Sequence, residues 1–183
     1  MTVLTKTDTL PKGTWQIDAT HSQVGFAVDY MGGTFRGTFA PIEGTLTVPE
    51  DGRARLEGSA KAEAVRVQDE NLEAHLLSPE FFDAEETPQL LFRSREIERS
   101  GDEVRVAGEL TIKGITQPVE LRGGIGEPIA DPYARTRVVL TLATTVDRTD
   151  FGLDWNVPLP SGEPALATDV AVSAELYLVQ GQE

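Results

Sequence analysis

TWQIDATHSQVGFAVDY (14–30) followed by MGGTFRGTFAPIEGTLTV (31–48) alternates apolar and polar residues with the period of a β-strand, but the alternation changes parity twice. Trp15 and Ile17 are apolar at odd positions, whereas Val24, Phe26 and Val28 are apolar at even ones. Phe35, Gly37 and Phe39 return to odd positions, and Ile42, Leu46 and Val48 are even again, with Pro41 at the switch. With Met31-Gly32-Gly33 as the hairpin turn, facing residues sum to about 64, which sets Pro41 across from Gln23 and puts both slips at one level. Paired bulges of this kind bend a long hairpin round a barrel corner, and proline is tolerated where ladder bonds are already lost.

Outward from this stretch the same period recurs. Leu56, Gly58, Ala60, Ala62 and Ala64 alternate with charged or polar residues, as do Val104, Val106, Gly108, Leu110 and Ile112, and Val170, Val172, Ala174, Leu176 and Leu178. The pattern predicts eight strands near 14–30, 33–49, 54–66, 89–99, 102–113, 116–126, 134–147 and 167–180. One helix is predicted from Asp69 to Leu77, where Leu72, His75 and Leu76 have helical spacing, Asp69 is an N-cap and Ser78-Pro79 ends the run. The long connection Arg148–Leu166, with Phe151, Trp155 and three prolines, reads as a lid. The predicted fold is all-β, an extended eight-stranded antiparallel barrel with one short helix, spanning 13–183 after a flexible N-terminal leader of residues 1–12.

Eight strands close a barrel just wide enough to fill itself with side chains or to hold one ligand. The inward positions of the third strand are mostly Gly and Ala, and Gly44, Gly58 and Gly108 add more small ones, so a void is expected unless Phe26, Phe35, Phe39, Phe92 and the two Trp fill it. The residues expected to face an apolar ligand are Phe26, Val28, Phe35, Phe39, Leu46, Leu56, Ala60, Ala62, Leu76, Phe81, Phe92, Val106, Leu110, Leu140, Phe151, Trp155 and Leu176. A head group at the mouth would meet His21, Tyr30 or Arg36.

Thirty acidic against 16 basic residues leave the chain of 183 at a formal −14, which repels nucleic acid and anionic bilayers. Without Cys there is no disulfide and no thiolate chemistry. No stretch approaches the ~18 apolar residues of a membrane span, and Met1–Gly13 lacks the apolar core of an export signal, so a cytoplasmic location is expected. Nucleophile-elbow and phosphate-loop motifs are missing, and no carboxylate pair stands out as acid and base, so no catalytic residue is expected. His21 and His75 are too few and too far apart in sequence for a zinc site, so neither metal nor cofactor is expected. For both histidines structural roles compete with ligand contact. Arg148 and Asp150 read as an ion pair bracing the turn at Gly152, and Arg93 and Arg95 as solvent-facing.

Four blocks in order resemble the YceI-like family of lipocalin-like polyisoprenoid-binding proteins: Trp15–Ser22 with Gly37-Thr38-Phe39, Ala74–Asp83, Gly108–Val119 and Arg148–Trp155. The resemblance implies an extended eight-stranded barrel around an elongated apolar pocket for polyisoprenoid chains or isoprenoid quinones, often in a homodimer. Many members are exported, and this chain departs from them in its start. It also carries Tyr30 where the family often has His after the first strand, and Leu72-Glu73 where Arg-Asp precedes the helix His. The loss of that basic residue favours a neutral head, such as a quinone, over a diphosphate. The expected function is therefore non-catalytic binding or carriage of an isoprenoid lipid. Its rivals are an enzyme acting on an apolar substrate in the cavity and a ligand-free, stress-related scaffold.

Overall fold

The computed structural model describes residues 9–181. In chain order its strands are β1 (Gly13–Ile17), β2 (Gln23–Tyr30), β3 (Gly33–Phe39), β4 (Ile42–Val48), β5 (Arg55–Lys61), β6 (Val65–Arg66), β7 (Gln89–Ser100), β8 (Glu103–Ile112), β9 (Ile115–Ile125), β10 (Ile129–Ala130), β11 (Thr136–Asp147) and β12 (Leu166–Gln180). The helix α1 (Glu70–Leu77) follows β6. The carboxylate of its N-cap Asp69 accepts from the amides of Asn71 and Leu72 at 2.8 and 3.2 Å.

Twelve segments make eight staves because four staves are broken, β9 and β10 lying end to end along the same side of β11. β1 and β2 lie end to end along the same side of β12, β3 and β4 likewise follow one another, and β5 leads into β6 through a 3₁₀ turn at Ala62–Ala64. Pairing runs from β11 through β9, β8, β7, β5, β4 and β1 to β12, and β12 pairs with β11, so the antiparallel ring closes. Closure at this level removes exposed edges that would otherwise template aggregation, whereas at the other end β3 has a second partner only at Thr38 and Phe39, which pair with β6.

The paired break in the first hairpin is present, between Ile17 and Gln23 on one side and at Ala40-Pro41 on the other. Its register is one residue off the expected one. The turn is the two-residue Met31-Gly32, with φ of 48° and 83°, so Tyr30 faces Gly33 and Val24 faces Phe39. This pairing puts even residues of β2 and odd residues of β3 on one face, as their apolar patterns require, whereas a slip by one would turn either set outward.

Of the expected flexible leader 1–12, residues 1–8 lie outside the described residues, and of the rest Thr9 and Lys12 are exposed while Leu10 and Pro11 touch the barrel. Leu10 is buried in the core, the Pro11 carbonyl accepts from Trp15 Nε1 at 3.0 Å, and Thr9 O accepts from the buried Arg99 at 3.0 Å. Among the described residues no helix is long and apolar enough to cross a membrane.

Candidate functional site

The barrel interior is divided along its axis. At the end where β1 and β4 lie, Trp15, Leu46, Val106, Val138, Leu140 and Leu178 are at most 2% exposed and pack into a solid plug. Toward β2 and β3 the interior opens into a cavity of about 320 Å³, near the lower end of the ~300–1,000 Å³ usual for small-molecule sites.

Strand register stacks the cavity wall in layers. Val28 faces Val170, which faces Val146; one layer deeper, Phe26, Val172 and Thr144 line up, and below them Val24, Ala174 and Leu142. Phe35 and Phe39 from β3, Leu56 and Ala60 from β5, Phe92 from β7, Leu110 from β8 and Leu176 from β12 complete the wall. Leu76 on α1, Phe81 after it, and Phe151 and Trp155 of the long loop cover the mouth.

Four residues expected on the wall are elsewhere. Leu46, Val106 and Leu140 belong to the plug, because their strands carry them past the depth at which the cavity ends. Ala62 is fully buried in the 3₁₀ turn, where its amide bonds Pro88 O at 2.8 Å. Conversely Ile17, Val24, Leu90, Ile112, Leu121, Leu142, Val146, Leu166, Val170 and Val172 line the cavity without having been singled out. Parity marked Ile17, Val24, Ile112, Val170 and Val172 as inward. Depth along the barrel, which separates plug from cavity, is set by how the strands stagger and is not carried by alternation.

The small inward residues also divide. A methyl at Gly37 would lie 2.4 Å from Phe26 Cζ, at Gly44 2.7 Å from Ile17 Cδ1, and at Gly108 2.8 Å from Phe92 Cζ. At Gly37 the space is taken by side chains, and at Gly44 and Gly108 the neighbouring backbone is closer still, with Glu57 O at 2.4 Å and Arg93 O at 2.5 Å. Gly58 alone among these four has room for a methyl, its nearest neighbour being Glu43 O at 3.5 Å, and it lies on the cavity wall. The expected void is real, but it comes from Gly58, Ala60 and Ala174 rather than from all the small positions.

Of the three head-group candidates only Tyr30 lines the cavity, at the rim where it pairs with Leu166. Arg36 points outward, as its place between the inward Phe35 and Gly37 requires. His21 is exposed at the break of the first stave, its Nδ1 2.7 Å from Asp18 Oδ2. Asp18 also accepts from Arg137 at 2.8 Å, and Arg137 donates to Asp131 at 2.6 Å. The Arg137 guanidinium, and then His21, hold the Asp18 carboxyl down at about 2. This network joins the end of β1 to the start of β11 and stands outside the cavity.

The other polar groups at the mouth are His75 and Arg148. His75 Nε2 lies 2.6 Å from Glu80, and its ring meets Phe81 and Trp155 edge-on, with centroids 4.9 and 5.1 Å away. Arg148 makes no ion pair with Asp150, contrary to the sequence expectation. Only 4% exposed, it donates to the carbonyls of Leu153, Trp155, Leu166 and Ala167, stitching the outgoing and returning ends of the long loop together. Burial lowers its pKa, and the nearby Asp147 and Asp154 oppose that shift. Asn156 adds a second stitch, with Nδ2 on Leu166 O at 2.7 Å and Oδ1 accepting from Leu166 N at 3.0 Å. The sequence signal available for these roles was only the position of Arg148 at the loop's first residue. Arg93 and Arg95 are exposed on the outer face, as expected. Among the described residues no group of three or more His, Cys, Asp or Glu could hold a metal ion.

A half-plugged barrel with an apolar upper chamber, closed by a helix and a stitched loop, is the geometry that comparison with known proteins meets. Residues 15–178 match the YceI-like domain. The chain belongs to the YceI-like family. Protein YceI of Escherichia coli O157:H7 is 27% identical over 158 residues, covering 85% of this chain and 81% of the relative, and that of Salmonella arizonae is 27% identical over 153 residues, covering 82% and 80%. Among solved structures, Burkholderia cenocepacia BcnA superposes with a TM-score of 0.74 at 19% identity, covering 88% of this chain and 98% of that one. A polyisoprenoid binding domain from Saccharophagus degradans gives 0.72 at 13% identity, covering 91% and 98%. At these identities the structural likeness establishes a shared YceI-like barrel.

Proposed function

We propose that the protein binds and carries a long apolar lipid of isoprenoid type, holding the tail in the barrel and performing no chemistry on it. The observation that carries this reading is the upper chamber: its wall is almost wholly aliphatic and aromatic, its mouth at one end lies under the helix and the long loop, and a packed plug stops it at the other. Each methylene moved from water into such a chamber contributes about 0.8 kcal/mol, so a tail of several isoprene units offsets the ~4–15 kcal/mol cost of immobilising it. The Saccharophagus degradans neighbour, described as a polyisoprenoid binding domain, supports the same ligand class.

A neutral head such as a quinone fits the mouth better than a diphosphate. Arg148 is engaged by four carbonyls, Arg36 and His21 lie outside, and Tyr30 offers a hydroxyl at the rim. Binding is favoured over catalysis because His75 and Arg148, the titratable groups held tightest at the mouth, are already tied to Glu80 and to backbone carbonyls. The homodimer implied by the family resemblance belongs to this proposal, and sedimentation equilibrium checks it.

The test is organic extraction of protein expressed in bacteria, followed by mass spectrometry, together with titration of an isoprenoid quinone and a polyprenyl diphosphate against emission of Trp155. An isoprenoid in the extract and saturable quenching by the quinone are expected, with Trp155→Phe removing most of the quenching because Trp15 sits in the plug. An empty extract together with no quenching by either lipid overturns the proposal.

A further inference from the structure

We infer that the barrel measures its ligand: the plug is a floor that sets the longest isoprenoid tail the chamber accepts in full, and Leu176 with Leu142 and Leu56 forms the surface the tail end meets. The inference rests on the reading above and concerns the length of the tail rather than the nature of the head.

The floor is defined by register. On β12, Val170, Val172, Ala174 and Leu176 descend the wall in steps of two residues. Their β11 partners Val146, Thr144 and Leu142 share the cavity, but Leu140, the partner of Leu176, does not. On this wall the cavity therefore ends within one layer, between Ala174–Leu142 and Leu176–Leu140, while on the β1 side it reaches Ile17, the partner of Leu178. Beneath it Leu178 and Leu46 are wholly buried, and Leu46 faces Trp15 on one side and Leu56 on the other. The outer end of the plug is sealed in turn by Leu10. A tail cannot thread through such packing, because protein interiors leave few voids larger than a water molecule. From Val170 to Leu176 is six residues on one strand, about 20 Å, or roughly 15 Å along the axis of a barrel whose strands tilt by about 40°. Carbons beyond that depth and the space under the cap must stay at the mouth, where they gain little from burial.

The consequence is a break in affinity against tail length. Within the chamber each added methylene tightens Kd by up to roughly fourfold. Past the floor the gain vanishes or reverses.

The experiment is a set of Kd values for quinones that share one head group and carry progressively longer isoprenoid tails, measured by Trp155 quenching on wild type, Leu176→Ala and Ala174→Leu. The wild type should show a break; Leu176→Ala, which lowers the floor, should move it to longer tails, and Ala174→Leu, which raises it, to shorter ones. The two variants act in opposite directions, so one poorly folded variant leaves the other decisive. Affinity that climbs without a break through the longest tail, or a break that neither variant moves, overturns the inference while leaving lipid binding intact. Failure of every quinone to bind overturns the functional reading and this inference with it.

Discussion

Replacing Arg148 by Met removes the guanidinium while keeping most of the apolar stem, so it isolates the four hydrogen bonds that hold the long loop. The bonds to Leu153 O and Leu166 O are buried and those to Trp155 O and Ala167 O partly so. Leu166 O keeps the Asn156 amide as a donor, and Leu153 O faces an apolar surround after the change. A hydrogen bond to a charged group contributes about 1.5–3 kcal/mol net, and a carbonyl left unpaired in the interior costs about 1–3. Water can reach the two outer carbonyls, so roughly two bonds' worth is lost, about 3–6 kcal/mol. For a chain of this size that corresponds to a fall in Tm on the order of 10 °C. Urea unfolding gives the loss directly, and hydrogen exchange should show the amides of Leu153, Ala165 and Leu166 opening sooner than those of β8 and β9. Arg148→Lys should rescue little, because a single ammonium cannot span four carbonyls placed for a planar fork. A loss below about 1 kcal/mol with unchanged exchange in the loop would refute the stitching role.

Asp18→Asn should flatten the acid limb of stability. The Asp18 carboxyl is held at about 2, chiefly by Arg137 and next by His21, below its ~3.9 in the unfolded chain. Its contribution is therefore complete above about pH 4 and disappears as the pH falls toward 2, a change of about 1 kcal/mol after allowing for solvent screening. Urea midpoints from pH 5 to 2 that fall equally steeply in both proteins would contradict this. Gly58→Ala should be nearly neutral in stability, its new methyl making only an ordinary contact with Glu43 O at 3.5 Å. At Gly123 the same change would set a methyl 1.7 Å from Thr141 O, and thermal melts should show it as strongly destabilising. Ala60→Leu should fill the chamber and weaken lipid uptake at least tenfold with little loss of stability. Ala62→Leu, in the filled turn, should cost about 1–3 kcal/mol, and denaturation of both beside a binding titration separates the two effects.

Most of the barrel was legible along the chain, because alternation is a local property: each strand declares its inward face by parity, and the Asp69 cap with Ser78-Pro79 brackets α1. Parity also held the information that Arg36 points outward, since Phe35 and Gly37 beside it point in. Even the bent first hairpin showed as a change of parity, and only the length of its turn was misjudged, by one residue. What alternation cannot carry is depth. Leu140 and Leu142 are equivalent on β11 as sequence, yet one is plug and the other chamber wall, because closing eight staggered strands assigns each residue a height that no single strand encodes. The same holds for small residues, since Gly44 and Gly58 face each other on adjacent strands, yet a methyl at Gly44 would meet Glu57 O and Ile17 whereas one at Gly58 would make only an ordinary contact with Glu43 O. Arg148 follows the same rule. Its four carbonyl partners lie 5 to 19 residues away, and they become one site only when the loop returns to β12.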